Sequence, residues 1–223
     1  MLNRKNKKLL LFDYDGTLVD SAQMIIDGTI EAFNRCRLET PEPELIKAGI
    51  GQKLDIAIKS YLPLEHEGTI DEVISHYRQW YVEKDLEGTQ FEPLFEKIKP
   101  LLEILYKDGY YLGIATNKSL RALNRGLHHH GINKFFSIIM TTDNFIPKPN
   151  KAMAIHALQK LKIQNSEAFM IGDTVHDIKM GKNVNTSTIG VSWGYNNQEE
   201  LHRENTGRVV NDPSELVKIL GEY

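Results

Sequence analysis

Cysteine is nearly absent from this chain of 223 residues: Cys36 stands alone, so no internal disulfide can form, and no Cys/His zinc spacing can be built around it. A reducing, cytoplasmic setting is the expectation. Long apolar runs are missing too. Nothing approaches the ~20 residues that a spanning helix needs, so no membrane partner is expected. The opening MLNRKNKKLLLFDYDG has the basic residues of a secretory signal, yet Asp13 cuts its apolar run after Phe12, too early for such a signal. Arg4, Lys5, Lys7 and Lys8 read as a solvated lead-in. A charge excess of one sign is also lacking. Lys+Arg number 27 against 30 Asp+Glu, a formal net charge of −3, and the basic residues are scattered. Proteins that bind nucleic acid draw their sequence-independent affinity from a basic excess, so no nucleic-acid partner is expected. Neither repeats nor low-complexity segments occur.

What is present is an ordinary globular composition, 41% hydrophobic and 26% charged, over a length worth about one and a half domains. Short continuous apolar runs, the pattern of strands buried on both faces, occur at KKLLLF (8–12 with its lead), YYLGIAT (110–116), SIIMTT (137–142), AFMIGD (168–173), TSTIGVSW (186–193) and, more weakly, RVVND (208–212). Helical patterns at 101–107, 120–129, 151–162, 177–182 and 214–220 alternate with them. Such alternation predicts an α/β fold with a Rossmann-like parallel sheet. The stretch from about 21 to 91 breaks the alternation: it carries helical patterns at 21–35, 43–47, 54–61 and 69–84 and no convincing strand, with Ser21 as N-cap of the first. An all-α domain inserted after the first strand explains why that strand stands apart from the rest. The predicted division is a core of 1–17 and 93–223 and a helical cap of 18–92.

Chemistry concentrates where the strands end. DYDGTLVDS (13–21) puts Asp13 and Asp15 just past the first strand, at the edge where open α/β sheets bind ligands, and Gly16 permits a sharp turn. By itself this would be an acidic surface turn. GDTVHD (172–177) repeats the geometry: Asp173 ends a strand, Thr174 can cap a helix, and Asp177 falls on the same side of its first turn. Four carboxylates gathered this way repel unless a cation lies among them, and an oxygen-only set suits Mg²⁺. ATNKS (115–119) adds a hydroxyl and an amide at Thr116 and Asn117. IPKPN (146–150) adds Lys148 between two prolines. Carboxylates, donors and a cation at successive strand ends are what a magnesium-bound phosphoryl site requires.

With DYDGT, TN (116–117), KP (148–149) and GDTVHD in this order, the sequence resembles the haloacid dehalogenase superfamily, in its phosphoglycolate phosphatase-like branch with a helical cap. WGY (193–195) and NDPSEL (211–216) extend the resemblance over nearly the whole chain. It implies a cytoplasmic Mg²⁺-dependent phosphatase, a monomer or small homo-oligomer, acting on a small phosphorylated metabolite, with 2-phosphoglycolate the first candidate. Asp13 would be the nucleophile and Asp15 the general acid and base. Mg²⁺ would be held by Asp13, the backbone carbonyl of Asp15, and Asp173, with Asp177 reaching it through water or orienting Lys148. Thr116, Asn117 and Lys148 would bind the phosphoryl oxygens. The dehalogenases and phosphonate-cleaving members have no acid two residues after the nucleophile, so Asp15 points to phosphate esters or anhydrides. The chain departs from the branch in FEPLFEKI, which has Pro93 but no following glycine, and in Asn183 and Asn185 where small residues are usual. Pyrophosphate or a nucleotide as substrate, a sugar-phosphate phosphomutase, and a non-catalytic phosphate-binding protein are the alternatives.

In the cap, Gly49 and Gly51 of AGIGQKL suit a flexible loop that carries Gln52 and Lys53 toward the site, or else an ordinary turn between helices. Tyr77, Trp80 and Tyr81 read as cap core at helical spacing. The triplet His128 to His130 reads as a helix C-terminus before Gly131. Trp193 and Tyr195 of VSWGYN read as packing residues, with contact to the site from a loop as the alternative.

Overall fold

The computed structural model describes residues 8–89, 92–196, 198–204 and 206–222; Arg4, Lys5 and Lys7 lie outside them. Six strands form one sheet: β1 (Leu9–Phe12), β2 (Tyr111–Ala115), β3 (Phe136–Met140), β4 (Ala168–Gly172), β5 (Ser187–Val191) and β6 (Arg208–Val210). All pairings are parallel, in the order β3-β2-β1-β4-β5-β6. This is the doubly wound arrangement, and every expected strand is in it.

Between β1 and β2 the chain forms α1 (Ala22–Arg35), α2 (Pro43–Ala48), α3 (Leu54–Tyr61) and α4 (Ile70–Glu87), then α5 (Ile98–Lys107). The later helices are α6 (Leu120–His130), α7 (Ala152–Leu161), α8 (Val175–Lys182), α9 (Gln198–Arg203) and α10 (Pro213–Leu220). Strand β1 shows why the sheet's runs are apolar without alternation. Leu10 and Phe12 pack with Leu102 and Leu105 of α5, Leu123 of α6 and Leu216 of α10, while Leu9 and Leu11 pack on the other face with Met153 and Leu158 of α7 and Met180 of α8. These four β1 side chains are at most 1% exposed, and each contributes on the order of 1.5–3 kcal/mol over its exposed state.

Helices α1, α3 and α4 bury a separate cluster that includes Phe33, Ile58, Leu62, Val73 and Ile74. Trp80 and Tyr81 are buried as expected, with Trp80 pressed against Gly28. The His triplet ends α6 as expected, and Gly131 follows in the left-handed region at φ 63°. Two sequence expectations need correction. Ser21 precedes α1 but makes no side-chain cap; its backbone N–H donates to Tyr195 Oη at 2.7 Å and its hydroxyl lies 3.2 Å from the same oxygen. Helix α9 was not anticipated, because QEELHR buries only Leu201 and shows no apolar period. No helix among the described residues is long and apolar enough to cross a membrane.

Candidate active site

Strand β1 lies between β2 and β4, with Phe12 in register with Ile114 on one side and Ile171 on the other. The strands therefore release Asp13, Thr116 and Asp173 at one edge, beside the point where the strand order reverses. That crevice is the usual ligand site of an open α/β sheet.

Behind this edge is a dry ionic cluster. Asp13, Asp173 and Asp177 are at most 1% exposed, and each brings a carboxylate oxygen within 4.8 Å of the others. Lys148 Nζ lies 2.7 Å from Asp13 Oδ1 and 2.7 Å from Asp177 Oδ1. Asp177 is fixed in turn by a capping box at the start of α8: its Oδ2 accepts from the Thr174 N–H at 3.1 Å and from the Thr174 hydroxyl at 2.8 Å. Asp177 thus joins the start of α8 to the Lys148 ammonium. Asp173 accepts from the Thr17 hydroxyl and from the Tyr195 N–H, both at 2.9 Å. Gly16, at φ +80°, presses on that carboxylate so closely that a Cβ would fall 2.3 Å from Asp173 Oδ2.

The electrostatics are those of carboxylates short of positive charge. Burial, and next the Asp177 carboxylate, push Asp13 well above its ordinary range against the pull of Lys148. Burial and Asp177 likewise push Asp173 up to about 7. Burial disfavours the Lys148 ammonium, but Asp13 and Asp177 outweigh it and hold the charge. Three carboxyl groups crowd around one ammonium, which touches Asp13 and Asp177 but not Asp173, so ionising all three would leave two negative charges uncompensated in this buried, oxygen-rich place. A hard divalent cation fits that donor set and that charge.

In front of the edge opens a cavity of about 570 Å³. Asp13, Asp15, Thr116 and Asn117 line its sheet side, and Gln52 and Lys53 line its helical side. Lys148, Asp173 and Asp177 are not in its wall, so Asp13 is the carboxylate that belongs to both cavity and cluster. Asp15 turns its carboxylate away from the cluster and toward Lys118. Thr116 Oγ1 accepts from the Lys118 N–H at 3.2 Å, which leaves its own proton to donate. Asn117 has protein partners on both ends of its amide. Its side-chain N–H donates to the Gly51 carbonyl at 2.8 Å, and its Oδ1 accepts from the Lys148 N–H at 2.9 Å. The amide is thereby committed to joining the loop of Gly51 to the Lys148 backbone. Between the two readings of AGIGQKL, the structure favours a loop that reaches the site. Lys53 Nζ is paired with Asp55 at 2.7 Å on a partly exposed surface.

Of the two readings of Trp193 and Tyr195, the contacts fit loop residues that touch the site: the Trp193 indole donates to the Thr17 carbonyl at 3.1 Å, and Tyr195 supports Asp173 and Ser21. Other residues near the site escaped the sequence reading. Tyr77 and Tyr81 line the cavity as well as the cap interior. Lys118 and Glu92 form a buried ionic group with Asp15. Proximity to Asn117 hinted at Lys118, whereas nothing in the sequence pointed to Glu92. Finally, Cys36 has metal-ligating neighbours after all, since α4 brings Glu72 and His76 within 4.8 Å of it at a partly exposed place in the helical segment.

Comparison with known proteins agrees with this geometry. A family model described as haloacid dehalogenase-like hydrolase matches residues 10–191. The chain belongs to the haloacid dehalogenase-like hydrolase family. Among curated members of that family, the pyrophosphatase PpaX of Bacillus velezensis is 34% identical over 219 residues, 97% of this chain and 98% of the relative. A phosphoglycolate phosphatase of Vibrio parahaemolyticus is 27% identical over 98% of both chains. Among solved structures, a predicted phosphatase from Clostridium acetobutylicum superposes with a TM-score of 0.85 at 26% identity, covering 98% of this chain and 100% of that one. As a member of this family with phosphatase relatives along its whole length, the chain is a hydrolase of the phosphatase type.

Proposed function

We propose that the protein is a Mg²⁺-dependent phosphatase of a small phosphorylated metabolite, working through a phosphoryl group carried on Asp13. The observation that carries this reading is the position of Asp13, the one carboxylate shared by the cavity and the buried Asp173–Asp177–Lys148 cluster. Residues 18–92 act as a cap over a core of 1–17 and 93–223. Their separate apolar cluster and their share of the cavity wall support that division.

Asp13, Asp173 and the backbone carbonyl of Asp15 would hold the magnesium, with Asp177 reaching it through water or orienting Lys148. When bound, the ion supplies positive charge that keeps the carboxylates ionised and offsets the charge of the phosphoryl oxygens. An Asp13 oxygen attacks phosphorus and forms an O–P bond as the bond to the leaving oxygen breaks, and Asp15 gives that oxygen its proton. Water then attacks phosphorus, the Asp13–phosphorus bond breaks, and Asp15 takes the water's proton. Thr116 donates its hydroxyl to a phosphoryl oxygen and Lys148 its charge. Asn117 joins them through the N–H whose contact to the Lys148 carbonyl is long, at 3.4 Å, while its other N–H keeps Gly51 at 2.8 Å. Gln52 and Lys53 meet the rest of the substrate.

The first candidate substrate is 2-phosphoglycolate. Inorganic pyrophosphate is the second reading, favoured by the 34% identity to a protein named for that activity. Phosphate release from both compounds, with and without Mg²⁺, tests the reading. Magnesium-dependent release by the wild type and loss of at least about a hundredfold in Asp13→Asn are expected. Undiminished turnover by Asp13→Asn rules the mechanism out.

A further inference from the structure

Asp15 is held by two residues that the mechanism above does not use. Lys118 Nζ donates to Asp15 Oδ1 at 2.9 Å and to Glu92 Oε1 at 2.9 Å. All three side chains are withdrawn from water, at 9% exposure for Lys118, 14% for Asp15 and 5% for Glu92. They come from three separate places in the fold: the turn after β1, the turn between β2 and α6, and the strip of chain that returns from α4 to the sheet. That strip is itself tied down, since the Glu92 carbonyl is 2.8 Å from His130 Nε2 at the end of α6. The Lys118 ammonium also lies 5.6 Å from the ring centroid of Tyr14, which is fully buried.

A buried ionic group of this kind is not retained for stability alone, because desolvation consumes most of its Coulombic gain. Position is what it supplies. A lysine has a flexible four-carbon stem, and its ammonium can swing among acceptors unless two of its donors are committed. Lys118 Nζ has an oxygen of Asp15 and one of Glu92 at 2.9 Å each, so two of its donors are committed. With Glu92 anchoring one side of the ammonium, the other side presents a fixed donor to Asp15. Proton transfer accelerates a reaction only when the donor is within hydrogen-bond reach of the leaving oxygen, so fixing Asp15 bears directly on the rate.

We infer that Glu92 is a positioning residue: acting through Lys118, it holds the Asp15 carboxyl group in place, Oδ1 accepting from Lys118 and the other oxygen left to carry the proton that passes to the leaving group. The inference rests on Asp15 being the proton donor, as proposed above. It also ties that donor to the segment joining cap to core, since Glu92 sits where the inserted helices rejoin the sheet.

The leaving group provides a readout that a purely structural role would not move. p-Nitrophenolate departs without a proton, whereas phenolate needs one. Wild type, Glu92→Ala, Glu92→Gln and Asp15→Asn are compared on p-nitrophenyl phosphate and phenyl phosphate with Mg²⁺, and unfolding midpoints are measured alongside. In Glu92→Ala, kcat/KM, which reports the step in which the leaving group departs, is expected to fall at least about tenfold further on phenyl phosphate than on p-nitrophenyl phosphate. Glu92→Gln keeps the shape and an acceptor oxygen, and is expected to fold normally and show a smaller loss of the same kind. Asp15→Asn should show the largest. Equal losses on both substrates in the Glu92 variants, or none, while Asp15→Asn still discriminates, overturn the role of Glu92. If Asp15→Asn itself fails to discriminate, the assignment of Asp15 falls and takes the inference with it.

Discussion

Lys148 is the residue on which the buried cluster balances. Its ammonium is entirely withdrawn from water and contacts Asp13 and Asp177 at 2.7 Å each. Replacing it by methionine leaves those carboxylates unpaired in a dry place, so Lys148→Met is expected to lose about 3–5 kcal/mol of stability in urea unfolding. Part of that loss should return on adding Mg²⁺. Asp173 adds a pH dependence. Its folded pKa of about 7 is above the ordinary 3.8, so the fold favours the protonated carboxyl. Its contribution to stability is therefore complete below about pH 4 and is lost as the pH rises through about 7. The proposed magnesium needs the ionised form and must compete with this proton. Mg²⁺ should raise the unfolding midpoint more at pH 8 than at pH 6, and an equal rise at both would contradict the assignment of Asp173 as a ligand.

At the scale of elements, α8 is where local chemistry and site coincide. Thr174 and Asp177 close a capping box, and the same Asp177 reaches Lys148 with its other oxygen. Thr174→Ala should cost about 1 kcal/mol of stability, by thermal unfolding, and also loosen Lys148. This helix was legible in the sequence because cap, carboxylates and strand end lie within six residues. The strands were legible for a different reason. Leu9 to Phe12 are apolar without interruption because helices cover both faces of the sheet, and that pattern survives in one short window. Contacts between distant segments leave no such trace. Ser21 looks like a cap but bonds to Tyr195, 174 positions away. Asn117 looks like a free donor but bonds to Gly51, 66 positions away. Lys118 and Glu92 are 26 positions apart, and neither pairing follows from spacing.

For the whole molecule, the helical stretch between β1 and β2 accounts for the length beyond a single α/β core. Among the helices between β1 and β2, α1, α3 and α4 bury a cluster of their own and the segment contributes a wall to the cavity, while the sheet contributes its acidic edge. A net charge of −3 conceals that edge, where Asp13, Asp173 and Asp177 crowd together with Lys148. The proposed account depends on one covalent event, transfer of a phosphoryl group to Asp13. The direct measurement is an acid quench of the enzyme during turnover of a phosphate ester with Mg²⁺, followed by peptide mass spectrometry. A peptide spanning residues 8–20 that is heavier by one phosphoryl group, modified at Asp13 and unmodified in Asp13→Asn, is the predicted result. Turnover with that peptide unmodified at every quench time, or modified at another residue, would contradict the account.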